Sequence, residues 1–192
     1  MDRMSRTTKK ATATGLALFA LGFSCPAAFA HIPVVVKTKS SKEFPVFVKK
    51  PEISYAYYGL LAGHDHYYKI ESTKPFLLYL NILVPDFEPK SGPVARHDIS
   101  IEVWKDNLLL FSADGLNSDW RRFYEKYGRD HYYLGPEYEQ PVDPGTYIIR
   151  VFNSSDSGRY ALAVGKKEKF TVFSIFGAFF KAWSLDGWFF KK

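Results

Sequence analysis

The sequence has a single cysteine, Cys25, and it falls within the first thirty residues. Without those residues the chain would hold no thiol, which excludes a disulfide framework, a zinc–thiolate centre and a cysteine nucleophile. Hydrolase signatures are missing too: there is no Gly-x-Ser-x-Gly elbow and no His-Glu-x-x-His helix. Carboxylates such as Glu137 and Glu139 stand close together, but alternation along a strand or turn accounts for them equally well. The expectation is a protein without catalytic machinery.

Excess charge is also scarce. The formal net charge is +6, but the first thirty residues carry four basic side chains against one acidic, so the remainder would stand at +3. Its Lys and Arg are spread among Asp and Glu, which leaves no concentrated basic face for nucleic acid. Internal repeats and low-complexity tracts are absent from the sequence.

The first feature present is an export signal. Arg3, Arg6, Lys9 and Lys10 lead into an apolar run from Gly15 to Phe23 and then Ala28-Phe29-Ala30. These have the form of the basic, apolar and small-x-small parts of a secretory signal. The apolar run is shorter than the roughly 20 residues that a transmembrane helix needs. Residues 1–30 are therefore expected to be a signal peptide, and the product extracytoplasmic, in the periplasm or at the cell surface. Lipidation of Cys25 is the weaker reading, because bulky Phe23 stands where a small residue is usual. About 160 residues would remain, enough for one domain with its own core.

Beyond that segment, residues 31–50 read as an extended leader with short β runs at Val34-Val35-Val36 and Val46-Phe47-Val48. Residues 51–165 read as a β-sandwich domain. Its predicted strands are Tyr55–Ala62, Tyr67–Ser72, Phe76–Val84, Ile99–Lys105, Leu108–Ser112, Thr146–Asn153 and Tyr160–Val164, each bounded by turn formers. Ile99, Ile101 and Val103 share one face while Ser100 and Glu102 point away. Tyr147, Ile149 and Val151 likewise oppose Thr146 and Arg150, and Tyr160, Leu162 and Val164 oppose Arg159. One buried and one wetter face per strand is the pattern of a two-sheet sandwich. Gly63-His64-Asp65, Lys105-Asp106-Asn107 and Ser154–Gly158 read as hairpin links. Asp114–Pro144 reads as a long irregular excursion, of the kind that is either functional or locally structured. The predicted class is all-β: an antiparallel, jelly-roll-like β-sandwich with a C-terminal aromatic-rich helix.

One stretch carries a resemblance. Pro144-Gly145-Thr146-Tyr147-Ile148-Ile149-Arg150-Val151, a polar loop and Gly158-Arg159-Tyr160-Ala161-Leu162-Ala163-Val164 together resemble the last hairpin of bacterial pre-peptidase C-terminal-like β-sandwich modules. Golgi-dynamics-type sandwiches share these features, so the resemblance implies a fold more than a job. It implies that Pro144-Gly145 sets a turn, that Tyr147 and Tyr160 fill the space between sheets, and that Gly158 lets the hairpin close. Such modules commonly accompany a peptidase, and this sequence supplies none.

Two metal readings arise. Cleavage after Ala30 would give His31 a free amine, and with His64 and His66 that makes a nitrogen-rich set suited to copper. This set resembles the histidine brace of secreted copper proteins, with Tyr67 or Tyr68 as an axial neighbour. The plainer account is a polar turn that happens to carry two histidines. For calcium there are loop acids, namely Asp114, Asp119, Asp130, Glu137, Glu139, Asp143 and Asp156, but no Asp-x-Asp-x-Asp-Gly spacing. No cofactor is predicted, with copper or calcium as the alternatives. The predicted ligand surface is instead the aromatic excursion, with Trp120, Tyr124, Tyr127, Tyr132, Tyr133 and Tyr138 stacking on a carbohydrate or a protein ligand, or else closing one end of the sandwich.

The end of the chain is different again. Lys166-Lys167-Glu168-Lys169 forms a charged hinge, after which Phe173, Phe176, Phe180 and Trp183 recur at helical spacing, with Trp188 beyond. Lys181 and Asp186 argue against a span. An amphipathic helix at an anionic membrane surface fits better, and packing on the domain or on a partner protein is the other reading. The sequence therefore predicts an exported, non-enzymatic binding protein held at a membrane through its tail. Its alternative is a copper-binding protein that uses His31.

Overall fold

The structure is a computed structural model that describes residues 31–36, 40–87, 97–125, 129–168 and Phe189. The predicted signal peptide and the predicted tail helix lie outside the described residues, as do Tyr127, Phe173, Phe176, Phe180, Trp183 and Trp188. Among the described residues no helix is long and apolar enough to cross a membrane.

The strands are β1 (Ile32–Val35), β2 (Val46–Phe47), β3 (Tyr55–Ala62), β4 (His66–Ser72), β5 (Phe76–Pro85), β6 (Ser100–Lys105), β7 (Leu108–Ala113), β8 (Arg121–Glu125), β9 (Asp130–Val142), β10 (Gly145–Phe152) and β11 (Ser157–Val164), with a short 3-10 turn at Gly115–Asn117. They form a six-stranded sheet, β1-β3-β11-β5-β9-β8, and a five-stranded sheet, β2-β4-β10-β6-β7. The inward phase of each strand packs against the other sheet. Ile101, Val103, Tyr147, Ile149 and Val151 face Leu80, Ile82, Tyr160, Leu162 and Val164 in one buried cluster.

Burying one such side chain contributes roughly 1.5–3 kcal/mol, against about 0–1 kcal/mol for an exposed ion pair. The contact between the sheets, not the surface charges, therefore holds the fold.

Several expectations are corrected. The sandwich is not wholly antiparallel, because β1 pairs parallel with β3 and β2 pairs parallel with β4. Both strands come from the predicted leader, so residues 31–50 supply an edge to each sheet. Of the three predicted hairpin links, only Lys105-Asp106-Asn107 joins paired strands. Asp106 (φ 48°) and Asn107 (φ 68°) both take the left-handed conformation that suits such a turn. Gly63–Asp65 and Ser154–Asp156 instead cross between the sheets, since β3 and β4 lie in different sheets, as do β10 and β11. The stretch that resembles a module's last hairpin is thus an arch, although Tyr147 and Tyr160 do fill the interior from opposite sheets.

The segment predicted as an irregular excursion holds the antiparallel β8–β9 pair, which extends the six-stranded sheet. The β5–β9 register shifts between Asn81 and Leu83, and Asn81 Nδ2 donates to the carbonyls of Gly135 (3.2 Å) and Pro136 (3.3 Å) at that irregularity. Trp120 packs on Gly135, where a Cβ would collide with the indole ring. Ser100, expected to face water, is buried because its Oγ accepts the Gly115 N–H at 3.0 Å under the 3-10 turn.

Candidate functional site

The residues opposite the core on the five-stranded sheet form a second surface, and the register of the strands lines them up. Tyr67 on β4 pairs with Arg150 on β10, which pairs with Glu102 on β6 and through it with Ser112 on β7. The neighbouring row runs from Phe47 through Lys69, Ile148 and Trp104 to Leu109. Over the middle of these rows lies a cleft of about 360 Å³, which Lys42, Asp106, Asn107 and Thr146 also line. Concave sites with a few converging polar groups and rings are where small ligands bind.

A hydrogen-bonded network fixes the floor of the cleft. Arg150 donates through Nε to Asp65 Oδ2 at 2.8 Å and through Nη1 to Glu102 Oε2 at 3.2 Å. The same Glu102 oxygen accepts the indole N–H of Trp104 at 3.1 Å, so one carboxylate holds both the guanidinium and the ring. The guanidinium also stacks 4.0 Å from the centre of the Phe152 ring. Partial burial pushes the Tyr67 hydroxyl above the ordinary phenol range, with Asp65 and Glu102 adding to the rise and Arg150 opposing it. Tyr67 therefore stays neutral. Ser40 Oγ accepts the Tyr67 backbone N–H at 2.8 Å and pins this end of β4.

The residues that the sequence singled out are placed elsewhere and do not share a face. Trp120 (8 % exposed) and Tyr133 (0 %) belong to the core, where the Trp120 indole donates to Gly115 O at 2.8 Å and the Tyr133 hydroxyl accepts from Arg122 Nε at 2.8 Å. Tyr132 is buried on the outer side of the six-stranded sheet. Tyr138 is half-buried against Phe111, and Tyr124 is exposed beside His131. On the metal side, His31 precedes Ile32, which pairs with the first residue of β3, whereas His64 follows the last. The length of β3 separates them by about 25 Å, at roughly 3.3 Å per residue.

His31 Nδ1 instead lies 2.6 Å from Ser54 Oγ, and burial pushes its pKa down to about 4. The His64 and His66 rings are 5.2 Å apart, but His66 Nδ1 is engaged with the Tyr160 hydroxyl at 2.7 Å. Among the described residues no three His, Cys, Asp or Glu side chains gather as a metal site. Asp114, one of the acids read for calcium, caps the 3-10 turn, and Glu139 accepts from Lys166.

Sequence reasoning missed the cleft. The available signal was Trp104 in the wet phase of its strand, a large ring where Ser100 and Glu102 announced an outward face.

No family model matches the chain, and no curated protein matches it. Among solved structures, it is similar to the pre-peptidase C-terminal domain of a collagenase from Bacillus anthracis. The identity is 10 % and the TM-score 0.38, over 67 % of this chain and 98 % of that one. That neighbour is a module of the kind that the residues from Pro144 to Val164 resemble.

Proposed function

We propose that this chain is a non-enzymatic, extracytoplasmic recognition domain whose ligand lies in the cleft over the five-stranded sheet. The carrying observation is the fixed floor: Glu102 holds Trp104 and Arg150 in one network, and all three line the cleft. Side chains already held in place lose little freedom on binding, which favours affinity. Export is supported by the character of residues 1–30. Attachment to a membrane surface or partner protein is supported by the lysines of the hinge and by Phe173, Phe176, Phe180 and Trp183.

The binding reading is tested by amide NMR of the isotopically labelled chain, titrated with soluble glycans and peptides. Shifts centred on Tyr67, Glu102, Trp104 and Arg150 are expected. Shifts confined to residues 121–142 would place recognition on the aromatic hairpin and end the cleft reading. For the tail, replacing Phe173, Phe176 and Trp183 by Ala is expected to release the full chain from vesicles of anionic lipid. Unchanged binding would end the membrane reading.

A further inference from the structure

We propose that the ligand of this cleft is a neutral, linear carbohydrate lying across the strands, an inference that rests on the cleft being the binding site. Charge is the first argument. Among the described residues, the cations lining the cleft are Lys42 and Arg150 and the carboxylates are Glu102 and Asp106, while Asp65, outside the lining, is paired to Arg150. Among the described residues, the cation at the centre of the cleft is Arg150, and its guanidinium is shared between Asp65 and Glu102 rather than left free for a phosphate, sulfate or carboxylate group. The nearby Lys69 is taken up by Glu71 at 2.6 Å. A surface that compensates its own charge favours an uncharged ligand.

The backbone gives the second argument. β10 pairs with β4 on one side and β6 on the other, so the floor of the cleft has no open strand edge with which a peptide could pair. Recognition must come from side chains, and these mix rings with donors and acceptors. Trp104 and Tyr67 supply apolar faces, while Arg150, Asn107, Thr146 and Glu102 supply converging polar atoms. A sugar ring presents the matching surface, with C–H faces above and below and hydroxyls around the edge. From the strand spacing and rise, Trp104 and Tyr67 stand roughly 12 Å apart on the diagonal, which suits separate units of one chain better than a single ring. The row from Phe47 to Leu109 crosses five strands, about 19 Å at this spacing, and gives a linear oligomer a track.

The test uses the full chain and three hexasaccharide probes: β-1,4-linked glucose, α-1,4-linked glucose and β-1,4-linked N-acetylglucosamine. Binding is followed by calorimetry and by amide NMR. The expected result is that at least one probe shifts the cleft amides, with an affinity that hardly changes when salt is raised roughly tenfold. Trp104→Ala and Tyr67→Ala are each expected to weaken it by about tenfold or more while the thermal midpoint holds. Failure of all three probes at millimolar concentration overturns the carbohydrate assignment, as does affinity that collapses with salt. If a peptide or a sulfated polysaccharide shifts the cleft amides instead, the neutral-carbohydrate assignment falls and the cleft reading stands. A hexasaccharide that binds with no shift in the cleft overturns both.

Discussion

The hydroxyls of Tyr68 and Tyr160 meet at 2.7 Å in the interior, one carried by each sheet. Both side chains are fully buried, and the Tyr160 oxygen also lies 2.7 Å from His66 Nδ1, so three polar groups satisfy one another where water is excluded. This run of hydrogen bonds ties one sheet to the other through the interior.

Tyr160→Phe removes the shared oxygen and leaves a buried imidazole nitrogen and a buried hydroxyl without it. The expected loss is about 1–3 kcal/mol, because the surviving partners keep their desolvation cost. Urea unfolding should show a lower midpoint with an unchanged slope. An unaltered midpoint would mean that the groups find other partners.

Gly59 sits beneath the same ring, and a Cβ there would lie 2.6 Å from Tyr160 Cζ. Gly59→Ala is therefore expected to destabilise by about 1–3 kcal/mol through overpacking. Combining it with Tyr160→Leu should cost less than the two single changes added together, since the contact is shared. Strict additivity would count against the steric account.

Acid should weaken the fold over a defined window. Burial pushes the His66 pKa from 6.5 to about 4, as burial also does for His31. The unfolded chain takes up these protons near pH 6.5 while the folded chain resists until about pH 4. Stability is then full above pH 6.5 and falls progressively as pH drops towards 4. Thermal midpoints measured across this range should decline, and His66→Gln should flatten part of the slope. Equal slopes in the two proteins would remove His66 from the account.

Phe189 is fully buried on the outer side of the six-stranded sheet, packed with Leu83, Tyr132, Ala161 and Ala163 and edge-on to Tyr58 at 4.9 Å between ring centres. Phe189→Ala is expected to cost about 3–5 kcal/mol and to raise binding of an apolar dye. A loss below about 1 kcal/mol would show that the site collapses without penalty.

Many strand positions were legible as β-rich runs bounded by turn formers. Tyr55–Ala62 was predicted as it stands, and Leu108–Ser112, Phe76–Val84 and Thr146–Asn153 differ from the observed strands only at their ends. The β8–β9 pair was not, because Arg121, Arg122, Glu125 and Glu137 fall among its rings and Gly135 and Pro136 interrupt β9 at the irregularity. Ala161 and Ala163 lie in the phase that Arg159 marked as wet, yet they are buried, because Phe189 closes over them from the far end of the sequence. The aromatic cluster of residues 120–138 looked like a surface because it is dense along the chain, but density says nothing about which face of a sheet a ring occupies.

From the residues alone came most of the extended segments, the phase of three of them and the absence of the familiar hydrolase signatures from the sequence. Alternation and turn formation act over a few neighbouring residues, so a linear reading captures them. Which strands share a sheet, which links cross the interior and which outward side chains meet were settled only by pairing between distant segments. Glu102, Trp104 and Arg150 stand together because β6 and β10 align in one register. That choice depends on burying both inward faces against the opposite sheet at once, a condition that no single segment contains.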